Sequence, residues 1–383
     1  MENIELLFLK NSNTGSKIKI KNAVVQLHIK EESNIFSGET INKIINFVNT
    51  LRKQYKGIKI PIEIYLGKIE FIDKLTYVLF ECICYDLIRR GHYVQLYADV
   101  IKSIETKGIV SSPLLLLNMT TTKSVQKFIP KFFNDTFGYH FRRVIKGCSI
   151  ENTNYLGKLY EEIDIFLKPF GINNDCRDEV GKVIIELVGN ACEHAKTDCL
   201  IDIDVTSDYE KKIRGVSDGY TYYGINIAVV NFSNILLGDD INNNILNNSD
   251  NIVDERYKEV LRAFDNHKKM FSDEYKKEDF CNITTFQHKI SGREKFSRTG
   301  GTGLTQLIKS LGKRSDTYRC YVISGNQSIS FYSELLEYNS NNWVGFNSEK
   351  DYIKCIPSKE VISESLIYMP GTAYNLNFVL RGE

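Results

Sequence analysis

The stretch from Arg177 to Ala195 carries two side-chain patterns that belong to one helix. Apolar residues recur in it at intervals of three and four, which predicts that one face packs against a sheet. These residues are Val180, Val183, Ile184, Leu187, Val188 and Ala191. A second, polar stripe at intervals of four consists of Lys182, Glu186, Asn190 and His194. Taken alone, that stripe is also typical of the solvated side of an amphipathic helix.

The run from Glu186 to His194, ELVGNACEH, resembles the N box of the GHKL superfamily, which includes gyrase B subunits, MutL, sensor histidine kinases and anti-sigma kinases. The resemblance implies that this helix lines an ATP pocket in which Mg2+ bridges the phosphates. Asn190 then corresponds to the metal ligand, and Glu186 to the catalytic residue that orients or deprotonates the attacking water. The residue types suit these roles, because Mg2+ prefers hard oxygen ligands and a carboxylate can accept a proton.

A glycine-rich turn follows later in the chain, in the sequence SRTGGTGLTQL. Glycines let the backbone approach a phosphate closely, and a helix that follows them offers free N–H groups. The segment resembles the G2 box of the same superfamily, and its place after the N box strengthens a signal that is weak by itself. The resemblance implies nucleotide contacts from Arg298, Gly300, Gly301, Thr302, Gly303 and Leu304.

Two further segments concern the nucleotide base. The strand-like run from Pro370 to Phe378 looks like the final strand of the GHKL fold, where Thr372 would set a hydroxyl beside adenine, although a threonine entering a strand is ordinary in any sheet. The superfamily's G1 box, Asp-x-Gly-x-Gly, corresponds here to a segment that starts with Asn231 and lacks both glycines. An asparagine amide can accept a hydrogen bond from adenine or donate one to guanine, so the base preference stays open.

The order of strand-like and helix-like segments predicts an α/β protein. We expect a small STAS-like α/β domain over residues 1–115, a connector over 116–154, and a GHKL α/β sandwich over 155–383 with helices packed on one face of a mixed sheet. A polar insertion at about 234–298 takes the place of the ATP lid, and its Asn-rich and Asp-rich start predicts a mobile loop over 234–254. The basic residues at its end suit either phosphate neutralisation or plain solvation: Lys289, Arg293, Lys295 and Arg298.

The N-terminal resemblance rests on the run from Ile60 to Asp73, which a helix, a glycine and another strand follow. This order is similar to the STAS fold of anti-sigma-factor antagonists, in which a serine after the aspartate receives a phosphate. Here Lys74 follows Asp73, and the nearest hydroxyl belongs to Thr76. The departure favours a docking or dimerisation surface over a phosphorylation switch.

Composition narrows the range of partners. Lysine and arginine number 49 against 48 aspartates and glutamates, a net charge of +1, so no overall field favours a nucleic-acid partner. No segment reaches membrane-spanning length and the N-terminus lacks a signal-peptide pattern, which together predict a cytoplasmic protein. Nine scattered cysteines without a CxxC pair predict reduced structural thiols.

The resemblance implies ATP and Mg2+ as cofactors, and it leaves three functions open. The first is a Mg-dependent ATPase or ATP-gated conformational switch in bacterial regulation or defence. It would act on an unidentified protein partner, and a homodimer is compatible with this function. The second is a protein serine kinase of the anti-sigma type. The third is a non-hydrolysing interaction module, which the altered G1 segment favours.

Overall fold

The computed structural model describes residues 1–15, 17–29, 34–67, 70–98, 104–106, 109–112, 116, 122–147, 154–207, 220–247, 255–290, 303–314 and 320–382. The helices are α1 (Glu5–Lys10), α2 (Gly38–Gln54), α3 (Lys74–Arg89), α4 (Thr122–Phe133), α5 (Tyr155–Leu167), α6 (Asn174–His194), α7 (Asp239–Asn247), α8 (Glu255–His267), α9 (Lys277–Thr284) and α10 (Gly303–Arg314). The strands are β1 (Ile20–Lys21), β2 (Val24–His28), β3 (Ile35–Phe36), β4 (Ile62–Gly67), β5 (Glu70–Phe71), β6 (Val94–Ala98), β7 (Ile104–Thr106), β8 (Ile109–Ser112), β9 (Asn134–Phe137), β10 (His140–Ile145), β11 (Cys199–Thr206), β12 (Tyr222–Asn231), β13 (Tyr321–Ser330) and β14 (Ile362–Arg381).

The protein is α/β, and its largest sheet has six strands in the order β13-β14-β12-β11-β10-β9. Each pairing in this sheet is antiparallel. Because side chains alternate along a strand, each strand serves both faces. On β12, Ile227 and Val229 belong to one buried cluster, and Ala228 and Val230 belong to another.

Helices α5, α6 and α10 cover the first of these faces. Helix α6 begins where the Asn173 side chain accepts a hydrogen bond from the Cys176 N–H at 2.8 Å, which satisfies one of the free donors of its first turn. The apolar positions predicted from the sequence are buried in the core that α6 forms with the sheet. Gly181 lets α5 approach, since a Cβ there would lie 2.8 Å from the ring of Tyr160.

The N-terminal part of the chain covers the second face. It contains two small sheets, β1-β2-β4-β6 and β3-β5-β7-β8, that mix parallel and antiparallel pairs. Helix α3 is buried on all sides from Lys74 to Leu87, between these sheets and the large sheet. Leu200, Ala228 and Val230 of the large sheet share one apolar cluster with the N-terminal helices. The large sheet is therefore covered on both faces.

The segment expected to connect two domains contributes to the large sheet instead. Its helix α4 packs beside β9 and β10, which pair as a hairpin around the turn at Gly138 and Tyr139. Strand β10 then pairs along its length with β11, from His140 opposite Asp204 to Ile145 opposite Cys199. The sheet therefore begins about twenty residues before the expected start of the second domain, at Asn134.

The insertion after β12 is largely helical. Residues Asp239–Asn247, predicted as part of a mobile loop, form α7, and α8 and α9 follow it. Helices α8 and α9 pack against the segment before β14, where Trp343 stacks on Tyr352 at a centroid distance of 5.1 Å and Tyr352 stacks on Phe280 of α9 at 5.8 Å. In that segment, a single β-bridge joins Tyr338 to Val344. Within the described residues, no helix combines the length and apolar character needed to cross a bilayer.

Candidate functional site

Five of the residues predicted from separate segments line one pocket between α6, the large sheet and the start of α10. These are Glu186, Asn190, Asn231, Leu304 and Thr372. The pocket therefore joins the N-box-like, G1-like and last-strand segments, together with the first turn of the helix that follows the glycine-rich turn. Arg298, Gly300, Gly301 and Thr302 lie outside the described residues, and Gly303 is the first residue of α10.

Helix α6 supplies one wall of the pocket. Glu186 and Asn190 lie one turn apart, and both are half-buried. Lys182, one turn earlier, points into solvent and forms an ion pair with Asp178 at 2.6 Å. The polar stripe thus divides into a solvated end and a pocket end, and the side chain of its last member, His194, lies outside the described residues.

Asn231 and Thr372 lie opposite each other at the end of the β12–β14 ladder. Asn231 is 5% exposed, and its Nδ2 donates a hydrogen bond to Thr197 Oγ1 at 3.4 Å. Gly371 permits this close approach, because it has φ +88° and a Cβ there would lie 2.5 Å from the Asn231 carbonyl oxygen. A side chain at residue 371 would therefore displace the end of the ladder on which both polar residues depend.

Tyr374 forms part of the pocket floor below Glu186. Two residues after Thr372, it faces the same side of β14. Burial raises the pKa of the Tyr374 hydroxyl above its usual range, and the negative charge of Glu186 raises that pKa further. The Tyr374 hydroxyl keeps its proton at physiological pH, as an ordinary tyrosine does, and can donate a hydrogen bond.

Helix α10 is held against α6 by a carboxylate on α6. Ser310 Oγ donates a hydrogen bond to Glu179 Oε1 at 2.8 Å, and Arg314 Nε donates to Glu179 Oε2 at 3.0 Å. These bonds fix the helix that begins at Gly303, so Leu304 of its first turn lines the pocket. The free N–H groups at the start of a helix favour an anionic group such as a phosphate.

The wall opposite α6 was missed in the sequence because the start of the insertion, residues 234–254, was interpreted as a mobile loop. It is formed by Ile235, Leu236, Leu237, Asp240, Ile241, Thr285 and Ile290. Apolar residues at positions 237, 241 and 245, spaced by four, were the available signal for a buried helix face. Among the predicted lid cations, Lys289 is exposed, and Arg293 and Lys295 lie outside the described residues.

A second cluster of ionisable side chains lies on the other face of the large sheet. His140, Asp202 and Asp204 bring potential metal-ligand atoms within 4.8 Å of one another, and all three are buried. The Lys74 ammonium pairs with both carboxylates, and Arg142 pairs with Asp202. Protein cations thus already compensate these carboxylates, so the cluster does not suit a metal ion.

The donor set of the pocket, by contrast, suits Mg2+. The Asn190 amide oxygen and the Glu186 carboxylate are hard oxygen groups on one helix face, and they leave room for water and phosphate as the other ligands. Comparisons with protein-family models, with curated proteins and with solved structures found no match to this chain.

Proposed function

We propose that the chain binds ATP with Mg2+ in the pocket between α6 and the large sheet and works as a Mg-dependent ATPase or ATP-gated switch. The observation that carries this proposal is the convergence of Glu186, Asn190, Asn231, Leu304 and Thr372 on one pocket. These residues come from four elements, and the sequence resemblance implies a role in nucleotide binding for each of them.

The lining suits the parts of a nucleotide. Apolar side chains from β12 and from the insertion offer a dry surface for a base, including Val229, Leu237, Ile241 and Ile290. Asn190 supplies an amide oxygen for the metal, and the first turn of α10 supplies N–H groups for phosphate oxygens.

In this proposal, Asn190 would hold Mg2+, which when bound would supply neutralisation of the phosphate charge. Glu186, one turn away, would accept a hydrogen bond from a water molecule and take its proton as the water oxygen bonds to the γ-phosphorus, while the bond from that phosphorus to the bridging oxygen breaks and ADP leaves with the bridging oxygen. Glu179 positions α10 through Ser310 and Arg314. The buried Tyr374 hydroxyl under Glu186 keeps the floor neutral and adds no competing negative charge.

The fold offers a route by which an occupied pocket would alter the packing of the N-terminal part of the chain against the large sheet. On β14, Thr372 and Tyr374 line the pocket, whereas Ala373 and Asn375 face the N-terminal part of the chain. Asn375 Oδ1 accepts a hydrogen bond from the Leu75 N–H of α3 at 2.9 Å. A nucleotide that shifts β14 would shift α3 with it, provided that the two states differ in their contacts to the ligand.

A thermal-shift titration with ATP, ADP and GTP, each with and without Mg2+, tests binding, because a ligand of the folded state raises the melting temperature. We expect a Mg-dependent rise with ATP that Asn190→Ala removes. Lys182→Ala, on the solvated end of the same stripe, is the matched control and should respond as the wild type does. If no nucleotide raises the melting temperature, or if Asn190→Ala still shows the Mg-dependent rise, the proposal is wrong.

The fate of the γ-phosphate distinguishes the forms of the proposal. With γ-labelled ATP, release of free phosphate that Glu186→Gln abolishes supports hydrolysis. Label on a protein would instead support the serine kinase. Binding without either product would indicate a switch or interaction module that responds to occupancy alone.

A further inference from the structure

A second cavity, beside the candidate nucleotide pocket, takes no part in the proposed function. It lies between the start of α7, the start of α9 and the irregular part of β13 from Ser324 to Gln327. Leu236 lines this cavity on one side and the nucleotide pocket on the other. Its volume of about 320 Å3 falls in the range of pockets that hold small molecules, about 300–1,000 Å3, and exceeds what a single ion would fill.

Four carboxamide side chains line this cavity: Asn242, Asn282, Asn326 and Gln327. Asn282 is 6% exposed and Gln327 is 9% exposed, and within the described part of the chain neither side chain has a hydrogen-bond partner. The buried Oδ1 of Asn242 also lacks one there. Since buried polar groups in proteins are nearly always hydrogen-bonded, these amides leave donors and acceptors for a molecule in the cavity.

Close packing and hydrogen bonds set the shape of the cavity. Gly238 approaches α9 so closely that a Cβ there would lie 2.7 Å from Asn282 Oδ1. The Leu237 N–H donates a hydrogen bond to Ser324 Oγ at 2.9 Å, which joins the start of α7 to β13. The walls are therefore held in place without the help of the carboxamides, which favours a preformed site.

The charges on the wall favour a neutral ligand. Asp239 and Glu278 supply two negative charges and Lys276 one positive charge, so no surplus of cations attracts a phosphate or carboxylate group. One oxygen of Asp239 accepts a hydrogen bond from the Leu236 N–H at 2.7 Å, and the carboxylate retains acceptor capacity on its second oxygen. Tyr368 adds an aromatic ring to the same lining.

We propose that this cavity binds a small neutral polyol, such as a monosaccharide or a cyclic polyol, through Asn282 and Gln327. A hydroxyl group both donates and accepts hydrogen bonds, as a carboxamide does, so each amide can bond two neighbouring hydroxyls. The C–H surface of a sugar ring would pack on Tyr368. This inference does not depend on nucleotide binding.

Saturation-transfer NMR on the full chain with D-glucose, D-galactose and myo-inositol tests the proposal. We expect at least one of these polyols to bind, and the zwitterion L-glutamine not to bind. Asn282→Leu and Gln327→Met should each weaken polyol binding by about fivefold or more, because each removes the donor and the acceptor of one amide. Asn243→Leu, at an exposed position of α7 outside the cavity lining, is the matched control and should bind as the wild type does.

The melting temperature without ligand separates a binding role from a structural one. Asn282→Leu should melt at the wild-type temperature or above it, because its amide has no partner within the described protein and is costly to bury. If Asn282→Leu melts lower, Gln327→Met decides: unchanged polyol binding in that variant would overturn the proposal. The proposal is also wrong if none of the three polyols binds, if L-glutamine binds more tightly than they do, or if Asn243→Leu loses binding to the same degree.

Discussion

Lys74, in the first turn of α3, forms a buried ion pair with Asp204 of β11, 130 residues further along the chain. The same ammonium pairs with Asp202, and His140 Nδ1 lies 2.9 Å from Asp204 Oδ1. Buried charges are costly to desolvate, and they are retained where partners compensate one another. The cluster therefore fixes where α3 lies on the large sheet.

Removing the ammonium should destabilise the protein strongly. We expect Lys74→Met to lower the free energy of unfolding by about 3–5 kcal/mol, because it leaves Asp202 and Asp204 buried with less compensation. Urea unfolding followed by circular dichroism measures the change. Lys53→Met, at an exposed position on α2, is the control and should change stability by less than about 0.5 kcal/mol. A similar small effect for Lys74→Met would contradict a structural role for the pair.

The cluster should also make the protein sensitive to acid. Burial by itself would raise the pKa of Asp204, but the charges of Lys74 and His140 outweigh burial and hold that pKa well below its usual range. A carboxylate with a lowered folded-state pKa contributes stability above its unfolded pKa, and that contribution is lost as the pH falls towards the folded value. The free energy of unfolding of the wild-type protein should therefore decrease as the pH is lowered from about 7 to about 3. The decrease should be smaller in Asp204→Asn, which lacks this carboxylate.

Asp273→Asn serves as the comparison for that series, because Asp273 is exposed. Its pH profile should follow that of the wild type. If Asp204→Asn lost stability as steeply as the wild type over the acid range, the sensitivity would have to come from other carboxylates.

Gly371 should be intolerant of any side chain. Its φ of +88° disfavours other residues, and a Cβ would meet the Asn231 carbonyl oxygen at 2.5 Å and the Ser233 nitrogen at 2.8 Å. We expect Gly371→Ala to cost about 3 kcal/mol or more of unfolding free energy and to abolish the nucleotide-dependent thermal shift. Gly57→Ala is the matched control, since Gly57 has φ +76° with open space around its Cβ position. It should show the backbone cost alone, about 1 kcal/mol, and keep the thermal shift.

The sequence predicted best what depends on local periodicity. The helix predicted from Arg177 to Ala195 matches α6, which begins three residues earlier and ends one residue earlier. The pocket residues on α6, β12 and β14 were also named from the sequence. That Asn231 and Thr372 line the same pocket depends on the antiparallel register of β12 and β14, in which the two residues lie opposite each other. This register is a tertiary feature that the local sequence pattern does not contain.

Other elements depend on contacts that a local pattern does not reveal. Helix α7 is rich in Asn and Asp, which have low helix propensity, and it forms where Ile241 and Ile245 are buried. From the sequence, Lys74 and Arg142 would be expected at the surface. Charged side chains are rarely buried unless an oppositely charged partner accompanies them. Their partners lie on strands distant in the chain, so tertiary structure alone identifies them as interior.

The shared core behind the large sheet limits how far either part of the chain can change independently of the other. Phe232, Ile367 and Met369 of the sheet region belong to the same apolar cluster as Phe8, Ile44 and other N-terminal residues. A gene rearrangement that replaced the N-terminal part would remove the side chains that cover this apolar face, and it would remove Lys74 from the buried Asp202 and Asp204. Substitutions on one side of this shared core should therefore require compensating substitutions on the other side.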